Sequence, residues 1–129
     1  MVAQAEHPVN LTSAYEDLIE RVIVETAQHG DVVILAHGAS IPLAQVRNVF
    51  RVLVTASTST RIERVAADQE IEAKAAEKAC TESDKERERY FERIYELDKE
   101  LPTHYDLVVN TDVLTTAQAA RIISHAAVM

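Results

Sequence analysis

Glycine is almost absent from this chain: 129 residues contain only two, Gly30 and Gly38. Every tight turn that needs a left-handed backbone normally takes glycine, because other residues meet their own Cβ there. A chain this poor in glycine is unsuited to a turn-rich all-β fold and suited to a helix-rich one. The same scarcity excludes a chemical device. A G-x-x-x-x-G-K-[ST] loop, which cradles phosphates with backbone N–H groups, cannot be written with two glycines eight positions apart.

Composition narrows the class further. The net charge of −8 and pI near 5.0 leave no general basic face for nucleic acid. The single cysteine, Cys80, forbids an internal disulfide and any multi-cysteine metal site, so a reducing cytoplasm is expected. No apolar run approaches the roughly 18 residues of a membrane span, so no membrane is expected as partner. The start, Met1-Val-Ala-Gln-Ala-Glu-His-Pro8, has neither the basic nor the apolar stretch of a signal peptide.

The chain reads as α-β-β-α-α-β-α. Residues 1–11 form a lead-in without periodicity, expected to be flexible, and residues 12–129 one domain. Ser13-Ala-Tyr-Glu16 has the pattern of a capping box opening a helix whose stripe is Tyr15, Leu18, Ile19, Val22 and Ile23. Gly30 sits where a helix exits through a left-handed residue. Val32–Ala36, Val49–Thr55 and Asp106–Asn110 are short apolar runs of buried-strand type. The stretch from Gly38 to Asn48 fits either a loop or a short helix. A long charged helical region covers about 58–100, with a break expected near Thr81, a restart at Ser83-Asp-Lys-Glu86 and a stop at Pro102. Thr115-Thr-Ala-Gln118 caps the last helix, whose stripe is Ala119, Ile122, Ile123 and Ala126. The fold class expected is α/β: a small three-layer parallel sheet of about three strands with flanking helices.

Arg61, Arg64 and Arg87 read from the residues alone as ion-pair members on a solvated helical face. Tyr90 and Tyr95 read as packing aromatics rather than base-stacking ones. Cys80, among alanines and lysines, reads as an inert packing thiol. The five histidines show no metal-ligand spacing.

Taken in order, Val32–Gly38, Val49–Ser57 running into Thr60-Arg61-Ile-Glu-Arg64, Asp84-x-x-Arg87-x-x-Tyr90 and Glu100–Asp112 resemble the cytidylate kinase-like family of P-loop nucleoside-monophosphate kinases, over roughly residues 14–127. The resemblance implies a truncated P-loop kinase-like fold with a lid-like region at about 58–100. It implies nucleotide or phosphate binding through His37, Arg61, Arg64, Asp84, Arg87 and Asp112. Lid arginines of this kind stabilise charge on a transferring phosphoryl group.

The chain departs from the family pattern at several points. Where the family has a Gly-Arg pair, this chain has Ala36 and His37. A histidine lacks the planar fork of arginine, and His37 can equally be an ordinary histidine opening a loop. Gly38 stands in place of an acidic residue, and Cys80-Thr81 in place of an Arg-Asp pair. Asp112 matches an end-of-sheet loop near the donor base, or simply forms a turn with Thr111 ahead of the Thr115 cap. The phosphate loop of complete members would precede residue 1. The expectation is a domain of nucleotide-binding or regulatory character, catalytically silent alone, or the C-terminal piece of a kinase. A dimerising scaffold without nucleotide is the alternative. No cofactor is required, and a magnesium nucleotide of the CMP or ATP class is an admissible ligand. A homodimer or partner chain is expected to cover the open sheet edge.

Overall fold

The computed structural model describes residues 11–35 and 38–128. Residues 1–10 of the lead-in expected at 1–11, and the candidate His37, lie outside the described residues. The chain forms two compact units, residues 1–47 and 48–129.

The first unit holds helix α1, Leu11–His29. The helix is already under way at Leu11, so Ser13 is an interior residue and not the N-cap its Ser-x-x-Glu spacing suggested. Gly30 closes α1 as expected, at φ +74° with its N–H bonded to the Ala27 carbonyl at 3.2 Å. The run Val32–Leu35 forms no strand, which corrects the expectation there. Its composition suits a strand, but a strand exists only through a neighbour that takes its N–H and C=O groups. Among the described residues no such ladder reaches it, and Val33 and Leu35 are each 94% exposed. From Gly38 onward the backbone makes successive turns, with bonds such as Ile41 N–H to Gly38 O and Val46 N–H to Leu43 O, rather than a regular helix.

The second unit runs β1 (Val52–Thr55), α2 (Thr58–Gln69), α3 (Ala73–Tyr95), a 3-10 turn (Pro102–His104), β2 (Leu107–Asn110) and α4 (Thr116–Ala127). Strands β1 and β2 pair in parallel, Val52 opposite Leu107 through Thr55 opposite Asn110. Among the described residues the sheet therefore has two strands where three were expected. Both are edge strands, and an isolated two-stranded sheet is stable only with a packed face. Helices α2 and α3, the connection between the strands, pack on each other.

Helix α3 runs without a break through Thr81 and Ser83, against the expected restart. Ala76, Cys80 and Phe91 explain its continuity. They fall at helical spacing on one buried stripe, and interrupting the helix would split that stripe. The real break lies at Glu70–Glu72. Helix α2 ends in a Schellman motif, with Ile71 N–H on the Ala66 carbonyl, and α3 closes through a wider turn, with Leu97 N–H on the Phe91 carbonyl. The left-handed residue in each is a glutamate, Glu70 (φ 53°) and Glu96 (φ 51°). A chain short of glycine thus bears about 1 kcal/mol of backbone strain at each helix exit. The exit at Glu96 also means that α3 ends well before Pro102. Helix α4 opens as read: Thr115 Oγ1 accepts from Gln118 N–H at 3.2 Å, and Gln118 Oε1 accepts from Thr115 N–H at 2.9 Å.

Candidate functional site

In parallel α/β proteins, loops beyond the carboxyl ends of the strands collect ligands. Here those ends are Thr55 on β1 and Asn110 on β2, with Thr111 following. Thr111 is buried and ties the two together. Its N–H and its Oγ1 both donate to the Thr55 carbonyl, at 2.8 and 2.9 Å. Above them α2 presents Arg61 and Arg64, and α3 presents Asp84 and Arg87. A groove of about 680 Å³ is lined by these four side chains together with Thr55 and Thr111. Its size is that of a small-molecule site.

Each arginine is held differently. Arg61 forms a two-pronged pair with Asp84, Nη1 to Oδ2 at 2.9 Å and Nη2 to Oδ1 at 2.6 Å. This pairing holds the Asp84 carboxyl below its ordinary pKa and pushes the Arg61 guanidinium up. Arg87 grips Glu100, with Nε to Oε1 at 3.0 Å and Nη2 to Oε1 at 2.7 Å. Its Cζ lies 4.9 Å from the centre of the Phe91 ring, a cation–π contact. The Glu100 carboxylate also accepts from the Tyr105 hydroxyl at 2.9 Å. Bonding to Glu100 raises the Arg87 pKa further. Arg64 differs from both. Its Nη1 donates to Thr111 Oγ1 at 2.8 Å and its Nη2 to the Thr111 carbonyl at 2.6 Å. Those partners are neutral, so they orient the fork without cancelling its charge.

The structure therefore brings Arg61, Arg64, Asp84 and Arg87 together. Asp112 lies on the adjoining loop and does not line the groove. Its Oδ1 accepts the Ser57 N–H at 2.8 Å, at the N-terminus of α2, where a negative charge is favourable. That bond is the main cause of its lowered pKa. The bond from Asp112 N–H to Asn110 Oδ1, at 2.9 Å, makes the turn read in the sequence. Tyr90, Phe91 and Tyr95 form an edge-to-face cluster with centroids 5.8–6.4 Å apart. Cys80 is buried beside a shallow cleft between α2 and α3. Among the described residues no group of three or more His, Cys, Asp or Glu is arranged to hold a metal.

Glu100, Tyr105 and Thr111 were not singled out from sequence. Their partners lie 13, 5 and 47 positions away for Glu100–Arg87, Tyr105–Glu100 and Thr111–Arg64. Only the position of Thr111 just past a strand gave a signal.

At the opposite end of the strands, Arg51 and Asp106 clamp the sheet. Arg51 N–H and Nε donate to Asp106 Oδ2 at 2.8 and 3.1 Å, and Nη2 to Oδ1 at 3.0 Å. Asp106, like Asp84, has its carboxyl held below the ordinary value near 3.8. A depressed folded-state pKa gives stability that is full above the unfolded value and lost as pH falls through the folded one. Urea midpoints are thus expected to stay level down to about pH 5 and to fall below pH 4, the range in which such carboxylates protonate. Asp106→Asn should cost roughly 1 kcal/mol at neutral pH and make the acid-side fall shallower. An unchanged acid slope in that variant would show that the clamp contributes nothing.

The fold and site define a parallel α/β unit with an arginine-lined groove at the carboxyl ends of its strands. Residues 4–113 match the model of the cytidylate kinase-like family, and the chain belongs to that family. Among curated proteins, none matches its sequence. No helix among the described residues is long and apolar enough to cross a membrane.

Proposed function

We propose that this kinase-like domain binds the phosphate of a nucleotide of the CMP or ATP class in the groove between α2, α3 and the strand ends. The observation that carries this reading is the convergence of Arg61, Arg64 and Arg87 from two helices onto one concave site at the position where parallel α/β folds hold ligands. Three forks of this kind match phosphate geometry. Phosphate binding here requires no cofactor, and a magnesium nucleotide is an admissible ligand. The 129 residues contain no glycine-rich phosphate loop, so the domain is silent in phosphoryl transfer by itself and acts as a binding or regulatory module, or contributes its site to a larger kinase. The truncated kinase-like fold belongs to the same reading. A second copy or a partner chain covers the open sheet edges and the exposed Val33 and Leu35. The unpaired thiol Cys80 suits a reducing cytoplasm.

One observation favours a second reading. Arg61 and Arg87 are already satisfied by Asp84 and Glu100, as they would be in a scaffold that binds no nucleotide. Isothermal titration of the purified chain with CMP, CDP and ATP, with and without Mg²⁺, separates the two, provided light scattering fixes the oligomeric state. Saturable binding in the micromolar to low-millimolar range is expected. Flat titrations from a stable dimer would leave the scaffold.

A further inference from the structure

The groove is electrically balanced as it stands. Four cationic and four acidic side chains line it. An incoming phosphate dianion would meet no net attraction, although the arginines are placed for it. The segment 97–100 supplies an uneven share of that balance: Lys99 against Asp98 and Glu100. Without this segment, Arg61, Arg64 and Arg87 outnumber Asp84 and Glu88.

Glu100 is the member of the segment that occupies a guanidinium fork. Its Oε1 takes Nε and Nη2 of Arg87, and Oε2 lies 3.2 Å from Nε. A carboxylate in that position offers two oxygens in a plane, the arrangement a phosphate would present to the same fork. Two features make Glu100 removable where Asp84 is not. Asp84 is carried in the middle of α3, eleven residues from either end of the helix. Glu100 sits on non-helical backbone, after the left-handed exit at Glu96 and before the turn at Pro102. It can leave without unwinding a helix. The Tyr105 hydroxyl, donating to Glu100 Oε1, holds it in place meanwhile.

On the reading that the groove binds phosphate, we propose that Glu100 is a built-in competitor for that phosphate. It fills the Arg87 fork in the empty protein and must leave before the ligand engages all three arginines. Arg64, bonded to neutral oxygens of Thr111, receives the anion first. Exchange at Arg87 follows, so the strength of the Glu100 contact sets the affinity threshold.

The test is titration of the full chain with inorganic phosphate and, separately, CMP at low constant salt. Glu100→Gln keeps the shape and an acceptor oxygen but removes the charge. It should bind either probe about three- to tenfold more tightly, the size expected when a partly screened ion pair no longer competes. The gain should vanish when Arg87→Gln is added, since the two residues share one interaction. Tyr105→Phe, which leaves the charges intact, should tighten binding about 1.5- to threefold, being the loss of one supporting hydrogen bond. That variant decides the matter if Glu100→Gln does not fold. Wild-type binding that Arg64→Ala weakens, with no tightening in Glu100→Gln or Tyr105→Phe, overturns the competitor role and leaves phosphate binding standing. Absence of binding in the wild type and in every variant overturns both.

Discussion

Phe91→Ala is expected to destabilise the second unit by about 3–4 kcal/mol, the usual cost of emptying a buried aromatic site. Phe91 is 3% exposed on the inner stripe of α3. Its ring meets Tyr90 and Tyr95 edge-on and carries the Arg87 guanidinium on its face. Its backbone carbonyl also closes the helix, accepting from Leu97 N–H. The substitution therefore leaves a cavity below the groove and removes the surface against which Arg87 is stacked. Total stabilities of single domains run only to about 5–15 kcal/mol, so a large part of the margin rests on this ring. Phe91→Leu, which keeps most of the volume, should cost about 1–1.5 kcal/mol. Urea unfolding followed by circular dichroism measures both. A loss under 1 kcal/mol for the alanine variant would mean that α3 is not anchored through Phe91.

Arg64→Ala should weaken phosphate or CMP binding by about 1.5–3 kcal/mol, roughly 10- to 150-fold, the scale of hydrogen bonds to a charged group. The effect is expected to exceed that of Arg87→Ala. Arg64 meets neutral acceptors and its full charge is available to an anion, whereas the charge of Arg87 is offset by Glu100. The stability cost should be near 1 kcal/mol, from the two bonds to Thr111. Arg64→Lys restores the charge without the fork and should recover only part of the affinity. An Arg64→Ala protein that loses stability but binds as the wild type does would move the arginine from ligand binding to fold support. Arg87→Ala separates these roles poorly. Its side chain holds Glu100, approaches Tyr105 and stacks on Phe91, so the protein would lose stability under either reading.

What the sequence made legible follows from the range of the interactions. The Thr115–Gln118 cap and the left-handed exit at Gly30 were readable because each device closes within a few residues. The two strands were readable from β-branched apolar runs, to within a few positions. The same signal at Val32–Leu35 did not produce a strand, since pairing is a property of two segments and no described segment pairs with it. Ser83-Asp-Lys-Glu86 misled for a related reason. The pattern serves equally as a capping box and as an ordinary helical surface, and the stripe of Ala76, Cys80 and Phe91 decided for one long helix.

In the site, Arg61, Arg64, Asp84 and Arg87 were legible through the family resemblance, as candidate phosphate-binding positions. Asp84 and Arg87 are conspicuous because they continue the stripe that buries Cys80 and Phe91. That Arg61 would take Asp84, and Arg87 would take Glu100, was not legible. Those choices are made by the packing of α2 on α3 and by the path of the chain after Glu96.

The central claim is that this groove, formed by α2, α3 and the strand ends, receives a nucleotide's phosphate. Nitrogen-15 NMR of the arginine Nε–H groups during a CMP titration tests it most directly. The account predicts saturable, concerted shifts of the Arg61, Arg64 and Arg87 signals, with the Arg51 signal, at the far end of the strands, unmoved. Shifts absent from all three up to millimolar CMP, or confined to arginines outside the groove, would contradict it.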